Sequence, residues 1–192
     1  DLSKIESKHG STLKKLADGS VLATGKNPSP EDLYLLGGAS TSGGIRALRI
    51  EALTHSSMPK NGPGRASNGN FGLTDLKVSV RPLKDPNAKL TPVKIADARA
   101  THQQNTGNLS VKAALDNDKN KTGWAVDRGG IGHDQAAVFS FEKPTGFDGG
   151  TYIEVSIQCG ANTQHNIGRP RLSVASVDAP VAVGGGLPQA LS

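Results

Sequence analysis

Cysteine is almost absent: the 192-residue chain holds one, Cys159. No internal disulfide can form, and neither a cysteine-based zinc site nor a c-type haem attachment motif can be assembled, so no haem belongs to this segment. Aromatic residues make up 4% of the chain, including one tryptophan and two tyrosines. An extended flat platform for crystalline polysaccharide does not fit that scarcity, and Trp124, Tyr34 and Tyr152 are the rings on which a sugar could stack. Long apolar runs and a secretory signal pattern are also missing, so membrane insertion is not expected. Basic residues outnumber acidic ones by 22 to 17, a net charge of +5. The basic groups Lys14 with Lys15, Arg46 with Arg49, and Arg169 with Arg171 are scattered and lack neighbouring aromatics, so nucleic acid is not an expected partner.

Catalytic patterns are equally thin. His9, His55, His102, His133 and His165 show no H-x-H or H-E-x-x-H spacing, and no G-x-S-x-G elbow is present. His133 and Asp134 are adjacent, and neighbours on an extended chain face opposite ways. The expectation is a protein without enzymatic activity.

The chain does contain 24 glycines and 11 prolines punctuating short segments of period two. Ser11–Gly25 reads as a hairpin turning at Asp18 and Gly19, followed by DLYLLGG. IRALRIEAL puts Leu48, Ile50 and Ala52 on one face and Arg49 and Glu51 on the other. FGLTDLKVSV alternates Leu76, Val78 and Val80 with Asp75, Lys77 and Ser79. Further segments begin at Val93, Gln135, Thr151 and Arg171, with one short helical turn near Val111–Leu115. In TYIEVSIQCG, Cys159 shares a face with Ile153, Val155 and Ile157, which makes it a buried thiol, while Tyr152 falls on the solvated face as an exposed ring. This pattern predicts an all-β fold: a β-sandwich, jelly roll of galactose-binding-like type, forming a single domain over residues 1–177. Residues 178–192, with a glycine triplet and two prolines, read as a linker or C-terminal tail. The start at Asp1 suggests a domain of a longer protein.

The segment DNDKNKTGWAV, Asp116–Val126, concentrates oxygen-bearing side chains. Asp116, Asp118 and Asn120 follow the every-second-residue spacing that aims hard oxygens at calcium, and Thr122 adds a hydroxyl and a carbonyl. An EF-hand is excluded, because Lys121 occupies the sixth position and Asp127 the twelfth, where glycine and glutamate are required. Ala114, Leu115, Asp116, Asp118, Thr122 and Trp124 resemble the loop that enters galactose-binding-like (discoidin-like) jelly rolls. Asn117 replaces that loop's glycine, one extra residue precedes Thr122, and Lys119 and Lys121 add positive charge. The resemblance implies a structural calcium on Asp116, Asp118 and Thr122 with Trp124 packed beneath; a metal-free polar turn over a core tryptophan is the alternative.

Two further loops, NGPGRASNGNF (Asn61–Phe71) and HNIGRPR (His165–Arg171), combine glycines with directional hydrogen-bond donors suited to sugar hydroxyls. They make Arg65, Asn68, Asn70, His165, Asn166 and Arg169, with the Tyr152 ring, the candidate ligand site; turn-forming Asn and Gly with solvated arginines is the alternative. Together with DGSVLATG, LTDLKVSV and KTGWAV, GPGRASNGNF and HNIGRPRLSV resemble successive motifs of the accessory β-domain of planctomycete-type cytochrome c domain-containing proteins, over Thr12–Val177. The resemblance implies an extracellular or periplasmic location beside the neighbouring domains of a parent chain. By analogy with jelly-roll modules it also implies a monomeric module for polysaccharide or oligosaccharide. A structural spacer or protein-interaction domain that positions redox domains is the other reading. The net charge favours acidic polysaccharides, with affinity falling as salt rises.

Overall fold

Cys159 and its alternate neighbours set the centre of the fold. In the computed structural model, which describes residues 1–118 and 121–177, they lie on a strand paired on both sides. Asn120 and the tail 178–192 lie outside the described residues. The strands are β1 (Leu2–Ser7), β2 (Thr12–Lys15), β3 (Val21–Thr24), β4 (Asp32–Ser40), β5 (Ile45–Ala52), β6 (Gly72–Pro82), β7 (Thr91–Val93), β8 (Ile95–Ala100), β9 (Trp124–Ala125), β10 (Gln135–Thr145), β11 (Thr151–Cys159) and β12 (Pro170–Ala175). Short 3₁₀ turns occupy Pro59–Asn61 and Val111–Leu115.

Every strand pairing is antiparallel. The first sheet runs β1-β4-β11-β6-β7, with β9 also on β6, and the second runs β12-β5-β10-β8. In the first, Val155 lies opposite Leu36 on one side and Val78 on the other, and Ile157 opposite Tyr34 and Leu76. In the second, Leu48 faces Phe139 and Ile50 faces Ala137. These rows of aliphatic and aromatic side chains meet between the sheets in one core, so the protein is an all-β antiparallel sandwich. The hairpin of β2 and β3 turns through Asp18 and Gly19, whose φ of +79° suits glycine. The 3₁₀ turn at Val111–Leu115 is where the sequence placed a helical turn.

Simple alternation misjudges three outward-facing side chains. Glu51 and Asp75, assigned to solvated faces, are only 6% and 5% exposed. Glu51 is covered by Arg171 and Arg49 from the same sheet face, and Asp75 pairs with Lys77 at 3.1 Å. Tyr152 is not an open stacking ring: it is buried, with the Arg81 guanidinium 4.1 Å from its centroid. Its hydroxyl lies over Gly37, where any Cβ would collide with it. Arg171 and Arg81 reach Glu51 and Tyr152 from neighbouring strands, beyond any local pattern, while Lys77 meets Asp75 along its own strand.

Cys159 is fully buried, and burial pushes its thiol up to about 12. It should therefore resist alkylation in the native protein at neutral pH and react only on unfolding. Cys159→Ala is expected to cost on the order of 1 kcal/mol through the small cavity left behind, measured by denaturant titration. Rapid native labelling would contradict this packing.

Candidate functional site

One end of the sandwich carries the long connections between β3 and β4, β5 and β6, β8 and β10, and β11 and β12. The two polar loops singled out by sequence lie side by side there. Gly64 forms an antiparallel bridge with Ile167, Arg65 N donates to Asn166 O at 2.8 Å, and Gly168 N donates to Pro63 O at 2.8 Å. Glycine is needed at position 64 because a Cβ would run into the backbone of Asn70. Close backbone approach, not ligand contact, accounts for that residue.

The candidate side chains divide by what they touch. Asn166 is fully buried, and its Nδ2 donates to Asn27 Oδ1 at 2.7 Å and to Pro28 O at 2.9 Å. Asn70, 4% exposed, accepts from Val126 N at 2.9 Å and donates to Gln104 Oε1 at 3.4 Å. Both stitch loops together beneath the surface. Asn68 accepts from Asn70 N at 3.1 Å and donates to Asp127 Oδ2 at 3.2 Å. His165 holds its Nδ1 2.8 Å from Thr163 O. Arg169 donates to Ser20 Oγ at 2.9 Å, Thr54 O at 3.2 Å and Asp18 Oδ2 at 2.6 Å, fastening the β2–β3 hairpin to the loop end.

Arg65 is different in its setting. Its two terminal nitrogens donate to Ser11 Oγ at 2.8 Å and Gly25 O at 2.9 Å. It lines a cleft of about 330 Å³ together with Thr24, Gly25, Asn27, Ser57, Met58 and Pro59. Behind it lies a group that sequence reasoning did not find, the fully buried carboxylate of Asp32. Asp32 accepts from Ser7 Oγ at 2.8 Å, Ser11 Oγ at 2.5 Å, Leu33 N at 2.8 Å and His9 N at 3.2 Å. Ser11 Oγ thus donates to Asp32 and accepts from Arg65, which links the cleft wall to the buried charge. No local motif announces this arrangement, since three of the four donors come from β1 and the loop after it.

The proposed cation loop does bring its three residues together. Asp116 accepts from Asp118 N at 2.8 Å and from Thr122 Oγ1 at 2.7 Å, and Thr122 Oγ1 lies 3.3 Å from Asp118 O. Asn117 sits at φ +66°, a left-handed conformation that asparagine tolerates. Trp124 is fully buried below, meets Phe71 edge-to-face at 5.0 Å and 84°, and donates its Nε1–H to His102 O at 2.8 Å. Among the described residues no cluster of three or more His, Cys, Asp or Glu is found. A cation here would rest on the Asp116 carboxylate, Asp118 and the Thr122 hydroxyl, and would draw the remaining oxygens it needs from water.

Comparison of the chain with protein-family models, curated proteins and solved structures finds no match.

Asp18 anchors the hairpin electrostatically. Hydrogen bonds from the Ser20 hydroxyl and backbone N–H, with the Arg169 charge beside it, hold its carboxyl at about 2, below the usual 3.8. A carboxyl lowered on folding contributes stability that is fully present above its unfolded value and is lost as pH falls through the folded one. Asp18→Asn should therefore flatten the decline of melting temperature between about pH 4 and pH 2 relative to wild type. Parallel acid melting curves for the two proteins would contradict this.

Proposed function

We propose that this domain is a non-catalytic carbohydrate-binding module of galactose-binding-like jelly-roll type, serving a larger exported protein in an extracellular or periplasmic setting. Polysaccharide or oligosaccharide is taken in the cleft beside Arg65. The observation that carries this reading is the composition of that cleft. A guanidinium oriented by Ser11 and Gly25 stands over a wall of Thr24, Asn27 and Ser57, with Met58 and Pro59 supplying apolar surface. Arg65 uses two of its five N–H donors on those partners and keeps others for ligand oxygens. Hydroxyl-edged, CH-faced sugars match such a lining, and a pocket of this size is within the range of small-ligand sites.

Binding at this cleft is weak per site, because sugar hydroxyls exchange water for protein partners at small net gain and little aromatic area is present. Arg65→Ala is expected to lose roughly 1 to 3 kcal/mol of glycan affinity by titration calorimetry, with Lys14→Ala unchanged. Equal affinity in wild type and Arg65→Ala would place the site elsewhere.

A spacer or protein-interaction role beside neighbouring redox domains is the second reading, favoured by the internal hydrogen bonds that engage Asn68, Asn70, Arg169 and the Nδ2 of Asn166. A glycan array separates the two: retention abolished by free sugar supports the module, and no retention on any glycan supports the spacer. Calcium on Asp116, Asp118 and Thr122 belongs to the first reading as a structural ion. Binding to the folded state alone raises stability by mass action, so millimolar calcium should raise the melting temperature and chelation should reverse it. An unchanged melting temperature under both conditions removes calcium from the proposal.

A further inference from the structure

The outer face of the four-stranded sheet carries a charge pattern that neither the loops nor the core explains. Leu48, Ile50, Ala137 and Phe139 point into the core, so their alternate neighbours on β5 and β10 point outward. Pairing then aligns Ser173, Arg49, Val138 and Arg99 in one row across β12, β5, β10 and β8. The adjacent row places Arg171 opposite Glu51. Glu51 receives Arg171 through two hydrogen bonds of 2.7 and 3.0 Å and Arg49 through one of 3.3 Å. One carboxylate thus serves two guanidinium groups, and it is spoken for chiefly by Arg171. The Nε of Arg49 is buried with no hydrogen-bond partner among the described residues. Arg99 is exposed and has no carboxylate within ion-pair distance among them.

Arg49 and Arg99 stand two strand spacings apart, about 10 Å, on a sheet surface with the aliphatic Val138 between them. That separation is too wide for one compact anion to bridge closely. It suits successive acidic groups on an extended polymer, and guanidinium forks match carboxylate and sulfate oxygens. We propose that this face docks a linear anionic polysaccharide, with neighbouring acidic groups of the chain seated on Arg49 and Arg99. The choice of a glycan over another polyanion rests on the carbohydrate-binding reading, while the surface itself is separate from the Arg65 cleft. Binding at an exposed basic face is screened by salt, whereas hydrogen bonding of a neutral sugar at Arg65 is far less so.

The test compares retention of the purified protein on immobilised heparin, polygalacturonate, a neutral galactan and polyglutamate over a salt series. Heparin and polygalacturonate should retain the wild type, with retention falling as salt rises. Arg99→Glu, at an exposed position that leaves packing intact, should weaken that retention by about tenfold, and Arg49→Gln should weaken it in the same direction. Lys14→Ala, at an exposed position on β2, should leave it unchanged, with melting temperatures recorded to confirm that each variant is folded. Undiminished retention of folded Arg99→Glu overturns the proposal. Retention on polyglutamate equal to that on the acidic glycans overturns the assignment of a glycan. Retention confined to the neutral galactan and lost in Arg65→Ala overturns this face while leaving the cleft reading in place, and no retention on any matrix overturns both.

Discussion

A carboxylate with no exposure to water is expensive to keep charged unless donors surround it, and Asp32 dictates much of the loop end for that reason. It opens β4, and its oxygens collect two hydroxyls and two backbone N–H groups from β1, the turn after it and β4 itself. Removing Ser7 or Ser11 would withdraw donors from a group that water cannot reach. The N-terminal strand is thereby held to the sheet, and Ser11 is fixed in the orientation that receives Arg65. The cleft wall inherits its geometry from a charge it never touches.

The same demand for paired polar groups explains the rest of that end. Long loops crossing the mouth of a sandwich bury backbone donors and acceptors, and these need partners where no ladder continues. Asn27, Asn70 and Asn166 supply them, each side chain bonding a different loop: Asn27 to Arg65 O and Gln164 O, Asn70 to Val126 N, Asn166 to Pro28 O. Arg169 does the same for the hairpin. Asparagine and arginine abundance in these loops is therefore first a structural requirement, with Arg65 distinguished by lining open space.

What the sequence made legible follows from which forces are local. Period two is written residue by residue, so the core strands and the buried face of Cys159 could be read directly. Asn117 takes a left-handed conformation that its short polar side chain tolerates, so the chain turns there without a glycine. Trp124 beneath the loop was expected from the resemblance to the discoidin-like loop, and its ring is fully buried. Glu51 and Tyr152 were misjudged because Arg171 and Arg81 reach them from neighbouring strands in ways only the register reveals, whereas Asp75 pairs with Lys77 along its own strand. Asp32 was invisible because a buried charge is defined by its distant donors. Its own neighbours, Glu31 and Leu33, carry no sign of it.

The internal hydrogen bonding of the loop end bears on function in two directions. Side chains committed to each other are lost to a ligand, which narrows the candidate list from seven residues to those facing open space. Groups already held by neighbours also lose little freedom on binding, and that lowers the entropic cost that weakens sugar recognition. Arg65, tied at both terminal nitrogens, is such a group. The outer sheet face works by a different economy: Arg49 and Arg99 sit on rigid strands, so their Cα spacing is set by the ladder, while Glu51 answers Arg49 only in part and Asp97, the carboxylate beside Arg99, is paired with Lys112. A sequence with a modest excess of positive charge can therefore concentrate it where backbone geometry fixes the interval between cations. Strand register, which no composition reports, sets the interval between Arg49 and Arg99.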